Sequence, residues 1–210
     1  MTDHAQHAAG STIQSLLSTH MTAFDIGANK GHLAEAMSAL CYKVVAFEPN
    51  PVLAQDLWNR MPANVIVEPV AMSDQDGTAI LYVDERPGRD GLASSLSRLE
   101  GMEAMTRQVE VRTRTLDSYC AEKGLYPDFI KIDVEGFEPH VFAGGMQTIA
   151  VRRPMVLFEF WESHYDSFRP WFEAISRTHD MRRVTDHVDA VTWYAENRSD
   201  GIVDILCLPR

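Results

Sequence analysis

The 210-residue chain contains no run of apolar residues long enough to cross a bilayer, so no membrane-spanning helix is expected. Cysteine is sparse: Cys41, Cys120 and Cys207 are far apart, odd in number and set among apolar neighbours. That pattern argues against a disulfide framework or a cysteine metal site and fits buried free thiols in a reducing compartment. Basic residues are outnumbered, with 19 Lys and Arg against 30 Asp and Glu, leaving a formal net charge of -11. A broad electrostatic grip on DNA or RNA is therefore not expected, although Arg152–Arg153 and Arg182–Arg183 are local basic spots. The opening MTDHAQHAAGSTIQ carries an acid and histidines where a secretory signal needs basic and then apolar residues. The cytoplasm is the expected address. No internal repeat is visible.

What the chain does contain is concentrated in Thr22 to Leu33, TAFDIGANKGHL. Ala23, Phe24 and Ile26 read as a short apolar strand interrupted by Asp25. Gly27, Ala28, Asn29, Lys30 and Gly31 read as a turn into a helix whose buried face is Leu33, Ala36, Met37 and Leu40. A strand, a glycine turn and a helix form a ligand cradle, with unpaired N–H groups at the helix start. The spacing is D-x-G-x-x-x-G, whereas a pyrophosphate-binding turn needs G-x-G-x-x-G. A carboxylate disfavours a pyrophosphate but accepts from an ammonium or a hydroxyl. S-adenosylmethionine, with an amino-acid group, a sulfonium and a ribose but no phosphate, suits that chemistry. Glu48 ends the next apolar run, Val44 to Phe47, at the distance where an acid accepts from ribose hydroxyls.

The rest of the chain predicts a mostly parallel sheet with helices on both faces. Residues 1–21 read as a polar leader with a short helix at Ile13 to Leu17, and 22–210 as one domain. The second strand spans 43–48. Pro49-Asn50-Pro51 then starts a helix striped by Ala54, Leu57, Trp58 and Met61. Val65 to Met72 reads as a third strand, giving β-α-β-α-β. Strands at 78–83 and 109–115 enclose an insertion over 84–108, long enough to act as a lid or a substrate-contacting loop. Leu116 to Lys123 predicts a helix, 128–134 a strand, and the following helix runs to Val151, loosened at Gly144-Gly145. Met155 to Phe160 is the fifth strand, and Phe168, Trp171, Phe172 and Ile175 stripe a further helix. Strands at 181–185, 190–195 and 202–208 close the chain, with two antiparallel strands completing a seven-stranded sheet.

Ligand sites of parallel sheets lie at the carboxyl ends of the strands. Gly27, Glu48, Asp74, Asp133 and Glu159 all fall at or just past such ends. A carboxylate among apolar neighbours costs several kcal/mol unless paired, so Asp133 and Glu159 each need a reason. Asp133 could hold a cofactor amino group, orient a substrate hydroxyl or act as its base, with Lys131 and Glu135 setting its charge. A Lys131–Asp133 pair that only ties the sheet to a loop is the structural alternative.

Taken in order, FDIGANKG, AFEPNP, AMSDQDG, KIDVEGFE with the following AGG, and VLFEF resemble the FkbM-type methyltransferase family from about Ala23 to Phe160. The resemblance implies a class I, Rossmann-like α/β fold, S-adenosylmethionine as methyl donor, and O-methylation of a small-molecule or sugar hydroxyl. It places Asp25, Gly27, Asn29 and Gly31 at the methionine end of the cofactor, Glu48 on the ribose and Ser73–Asp74 at the adenine edge. It sets Asp133 and Glu135 toward the transferring methyl, and Ser94 to Leu96 as a pre-substrate segment. The short leader and the late Trp161, His164 and Trp171 do not follow the family pattern and leave the acceptor open.

The implied reaction is in-line displacement, with positioning supplying most of the rate and a base assisting proton loss. His140 and His164 are candidate bases, though a lone histidine is more often structural. A divalent cation on Asp133, Glu159 and His164 is an alternative without a compact ligand motif, and no metal is expected. A non-catalytic cofactor-binding protein keeps the same cradle, but the intact Asp133 and Glu135 argue against it. A nicotinamide oxidoreductase is opposed by the missing G-x-G-x-x-G. A nucleic-acid methylase is opposed by the acidic balance and the lack of an Asn- or Asp-Pro-Pro-aromatic motif.

Overall fold

The computed structural model describes residues 13–84, 94–96, 106–161, 165–195 and 201–210. Strand β1 (Thr22–Ile26), helix α1 (His32–Ser38), β2 (Lys43–Phe47), α2 (Pro51–Arg60) and β3 (Val65–Glu68) follow in the predicted order. Asn50 starts α2 by accepting from the Val52 N–H at 3.1 Å, and Pro51 takes the first helical turn, where an N–H has no partner anyway. The helix faces are narrower than the periodicity predicts. Helix α1 buries Ala34 and Met37 while Ala36 is exposed, and α2 buries Ala54 and Leu57 while Trp58 is 64% exposed. Each helix presents a single i, i+3 row to the sheet, so the flanking position turns to solvent.

The apolar run 65–72 is not one strand. Pro69 has no N–H for a ladder, and the chain leaves the main sheet there, so that β4 (Ala71–Met72) joins a second sheet. That sheet has the order β4-β7-β5-β6, with β5 at Gly77–Asp84, β6 at Ser94–Ser95 and β7 at Thr106–Arg114. Most of the 84–108 insertion lies outside the described residues. Within the described part, β6 pairs antiparallel with β5, Asp84 ends β5 and 106–108 begin β7.

Helix α3 (Leu116–Lys123) starts on Thr115, whose hydroxyl accepts from the Ser118 N–H at 3.0 Å, and stops at Gly124 in the left-handed region. Then come β8 (Phe129–Ile132), α4 (Glu138–Arg152), β9 (Met155–Trp161), α5 (Tyr165–Ile175), β10 (His179–Arg183), α6 (Ala190–Ala195) and β11 (Ile202–Pro209). Residues 190–195 are helical rather than extended. Ala190 and Trp193, one turn apart, are both buried, and Trp193 packs edge-on against Phe160 with ring centroids 5.5 Å apart.

The main sheet is seven-stranded in the order β10-β11-β9-β8-β1-β2-β3. Only β11 runs against its neighbours, so one closing strand is antiparallel and not two. Alternation along the strands divides the core. Phe24, Ile26, Ile130, Ile132, Phe158 and Phe160 face α3, α4, α5 and α6. Ala23, Ala46, Phe129 and Leu157 face α1 and α2. Cys41, Cys120 and Cys207 are free and buried. Among the described residues, no helix is long and apolar enough to cross a membrane.

Candidate functional site

The strand order changes direction between β1 and β8, and the loops at their carboxyl ends part there to leave a cleft. The turn after β1 is built from left-handed residues: Gly27 at φ 85°, Asn29 at 51° and Gly31 at 72°. The N–H groups of Gly27 and Ala28 both donate to the Phe47 carbonyl at 3.0 Å. A Cβ on Gly27 would stand 1.9 Å from the Asp133 carbonyl oxygen, so the glycine lets the ends of β1 and β8 meet. Gly31 borders the cavity on the loop side, but its missing side chain serves α2. A Cβ there would stand 2.3 Å from Leu57 Cδ2.

The acids arrive from three strands. Asp25, in β1, is 2% exposed; its carboxyl is bonded by the Ala34 N–H, and Oδ2 has no hydrogen-bond partner. Burial pushes its pKa up to about 7, with Lys131 pulling it down and Asp133 pushing it up. Glu48, just past β2, accepts from Asn29 N–H through Oε2 at 2.7 Å and from Asn50 N–H through Oε1 at 2.8 Å. Burial raises it to about 7 against those two bonds. Asp133 follows β8; its N–H donates to the Ile26 carbonyl at 3.0 Å, and its Oδ2 accepts from Lys131 Nζ at 3.2 Å. Its other oxygen takes no hydrogen bond among the described residues.

Gly27, Asn29, Glu48, Asp133, Glu135 and Phe137 line one cleft. Val70, Met72, Leu81 and Leu96 supply its apolar wall, so the second sheet closes one side of it. A neighbouring open cavity is lined by Asp25, Lys131 and the loop from Gly27 to Leu33, and shares Gly27, Asn29 and Asp133 with the first. The buried, unpartnered Asp25 oxygen in this wall calls for a hydrogen-bond donor, and a ligand ammonium meets that need.

Ser73 and Asp74 follow Met72 but do not line the cleft themselves. Ser73 Oγ donates to Asp74 Oδ1 at 3.0 Å, and Asp74 Oδ2 lies 3.1 Å from His140 Nδ1. The His140 hydrogen bond holds the Asp74 carboxyl below the usual range. His140 in turn stacks on Phe137, ring to ring at 4.1 Å. The glycine pair in α4 does not loosen the helix. A Cβ on Gly144 would meet the Ser73 carbonyl oxygen at 2.0 Å and one on Gly145 would meet Leu116 Cδ2 at 2.9 Å, so both glycines seat α4 against its neighbours.

The loop between β8 and α4 holds Glu135 at φ 54° and Gly136 at 91°. A glutamate in the left-handed region costs about 1–2 kcal/mol and persists only where its surroundings hold it. Glu138 does the holding. It is fully buried, and its Oε1 accepts from Val134 N–H at 2.9 Å and Gly136 N–H at 3.3 Å. Burial lifts its carboxyl to about 7. Sequence reasoning assigned Glu138 no role, although an acid placed directly before Pro139 in the first helical turn was the available signal.

Glu159, in β9, is buried and accepts from Trp161 Nε1 at 2.5 Å; burial and Asp133 push its pKa up. His164 lies outside the described residues. Among the described residues, no three His, Cys, Asp or Glu side chains converge as a metal site.

Comparison with known proteins gives a consistent result. The methyltransferase FkbM domain model matches residues 25–191. A protein of Sinorhizobium fredii named 2-O-methyltransferase NoeI is 32% identical over 148 residues, which cover 61% of this chain and 59% of that protein. The matched part is therefore less than two thirds of that relative's length. A solved FkbM methyltransferase from Methylobacillus flagellatus aligns over 92% of this chain and 45% of its own, with a TM-score of 0.51 and 16% identity. An rRNA methylase from Streptococcus thermophilus aligns over 100% of this chain and 99% of its own, with a TM-score of 0.54 and 11% identity. At such identities these two structures speak for the fold alone, that of class I methyltransferases.

Proposed function

The chain belongs to the FkbM methyltransferase family, and on that premise we propose that it is an S-adenosylmethionine-dependent O-methyltransferase acting on a hydroxyl of a small molecule or sugar. The observation that carries this reading is the convergence of Glu48, Asp133 and Glu135 on one cleft, with Asp25 facing the adjoining cavity. Acids from three strand ends around an uncharged apolar wall suit a ligand with a cationic centre, hydroxyls and a flat base. The 32%-identical relative, a protein named as a 2-O-methyltransferase, supports a hydroxyl oxygen as acceptor. The rRNA methylases among the structural neighbours share only the fold.

In this reading Asp25, Gly27, Asn29 and Gly31 hold the methionine end and Glu48 the ribose, while Ser73–Asp74 back the adenine edge from outside the cleft lining. When bound, the cofactor supplies an electrophilic methyl on a sulfonium. The chain's own part is to align the acceptor oxygen with that methyl and to remove its proton. Asp133 is suited to the second task. Lys131 occupies one of its oxygens, leaving the other to accept from the acceptor hydroxyl. Glu135, held in its left-handed turn, orients the same hydroxyl. In the same reading residues 22–210 form one catalytic unit, and Leu96, in the cleft wall, supports a substrate-contacting role for that described part of the insertion.

Calorimetric titration of the wild type and of Glu48→Ala with S-adenosylmethionine and its demethylated product tests the reading. Micromolar binding by the wild type, weakened at least about tenfold in a variant that circular dichroism shows to be folded, is the expected result. Absence of binding by folded wild type, or equal binding by the variant, refutes the cofactor assignment.

A further inference from the structure

Lys131 is anomalous in a way that pairing with Asp133 does not explain. It sits in the central strand β8, 6% exposed, and a buried ammonium is costly unless it has work to do. Across the β1–β8 ladder its register partner is Asp25, so both side chains leave the sheet on the same face, one strand spacing apart, about 4.8 Å. On its other side are Glu159 and Asp204, which are register partners between β9 and β11. Their charges, with that of Asp133, keep Lys131 protonated despite its burial. One cation thus faces several acids, and burial leaves Asp25, Glu159 and Asp204 all harder to ionise than free carboxyls.

Two features of this band remain open toward a ligand. Asp25 Oδ2 is buried and accepts no hydrogen bond. Lys131 Nζ has three protons, and its bonds to Asp133 Oδ2 at 3.2 Å and the Ile132 carbonyl at 3.5 Å use two of them. Both residues line the cavity beside the Gly27 to Leu33 loop. An acceptor and a donor of opposite charge, side by side in the wall of one cavity, are the complement of an α-amino acid, whose ammonium and carboxylate share one carbon.

We infer that Lys131 and Asp25 together read the amino-acid end of the cofactor as a zwitterion, Lys131 Nζ donating to its α-carboxylate while Asp25 Oδ2 accepts from its α-ammonium. This deepens the methyltransferase reading and rests on it. The consequence is selectivity within S-adenosyl ligands. Decarboxylated S-adenosylmethionine keeps the adenosine, the sulfonium and the amine but offers nothing to Lys131, whose third proton then stays unpaired.

The experiment is calorimetric titration of full-length wild type with S-adenosylmethionine and with its decarboxylated form, repeated on Lys131→Met and Asp25→Asn. Wild type should prefer the carboxylated ligand about tenfold or more, as a charge-assisted hydrogen bond implies. Lys131→Met should bring that ratio to about one, chiefly by weakening the carboxylated ligand. Asp25→Asn should weaken both ligands and leave the ratio near that of wild type. Should Lys131→Met fail to fold, Lys131→Met/Asp133→Asn removes cation and counter-charge together and reports the same ratio. Equal affinity of wild type for the two ligands, or an undiminished ratio in either Lys131 variant, overturns the inference. Binding of neither ligand by folded wild type overturns the cofactor reading beneath it.

Discussion

Asp25 lies near the carboxyl end of the buried strand β1 with one carboxylate oxygen unpaired, and burial raises its pKa from 3.8 to about 7. A carboxyl that holds its proton more tightly in the folded state than in the unfolded chain makes folding less favourable as pH rises between those two values. Stability is therefore lost from about pH 4 upward, and the loss levels off above pH 7. Asp25→Asn keeps an oxygen for the Ala34 N–H and removes the charge. It should be more stable than wild type, with a gain that grows by roughly 1–3 kcal/mol from pH 5 to pH 8. Urea denaturation at the two pH values measures this; a gain independent of pH would mean that Asp25 does not titrate there. The same variant should bind S-adenosylmethionine more weakly, so stability and ligand affinity move in opposite directions at this position.

At the scale of elements, the contact between α4 and the turn after β4 depends on the absence of one side chain. Gly144→Ala improves helix propensity, yet its Cβ would stand 2.0 Å from the Ser73 backbone oxygen. Overpacking against backbone should dominate and cost roughly 2–3 kcal/mol, with α4 pushed away from Ser73–Asp74 and cofactor affinity reduced with it. Gly124→Ala is the control. It sits at φ 63° with nothing within 4 Å of the added carbon, so only backbone strain of about 1 kcal/mol is expected and no change in ligand affinity. Denaturant midpoints and a titration on both variants would test the contrast; equal losses would contradict it.

These two glycines also mark where the sequence stops being legible. Strand β1, the Pro51 start of α2 and the Thr115 start of α3 are written in adjacent residues, because caps and alternation are local. The acids at the ends of β1, β2 and β8 were legible for a related reason: a charge breaking an apolar run needs an explanation wherever it occurs. That Pro69 passes the chain from one sheet to another was not legible, since β4 pairs with β7, Ala71 opposite Thr113, far away in sequence. The role of Glu138 was hidden because its two N–H donors belong to a turn whose shape is set only once the loop is folded.

For the molecule as a whole, two kinds of negative charge must be distinguished. The formal net charge of -11 lies mostly on exposed side chains, where repulsion is screened by salt. In the band around Lys131, Asp25 and Glu159 are buried and Asp133 and Asp204 half-buried, so salt screens them much less. Raising sodium chloride from about 0.05 to 0.5 M at pH 8 should lift the melting temperature by a few degrees while leaving the pH dependence of the buried acids Asp25, Glu48 and Glu138 in place. Thermal melts at both salt levels and two pH values check both parts; a pH slope abolished by salt would place its origin on the surface.

Both oxygens of Glu48 hold backbone N–H groups from different turns, one after β1 and one after β2. A carboxylate offers about four acceptor positions, so two are left for a ligand. Under the proposed function Glu48 therefore serves twice, once for chain geometry and once for the ribose. A variant with no methyl donor to hold could shed Asp25, whose burial is costly to the folded state, but would still need Glu48 to tie its two turns together.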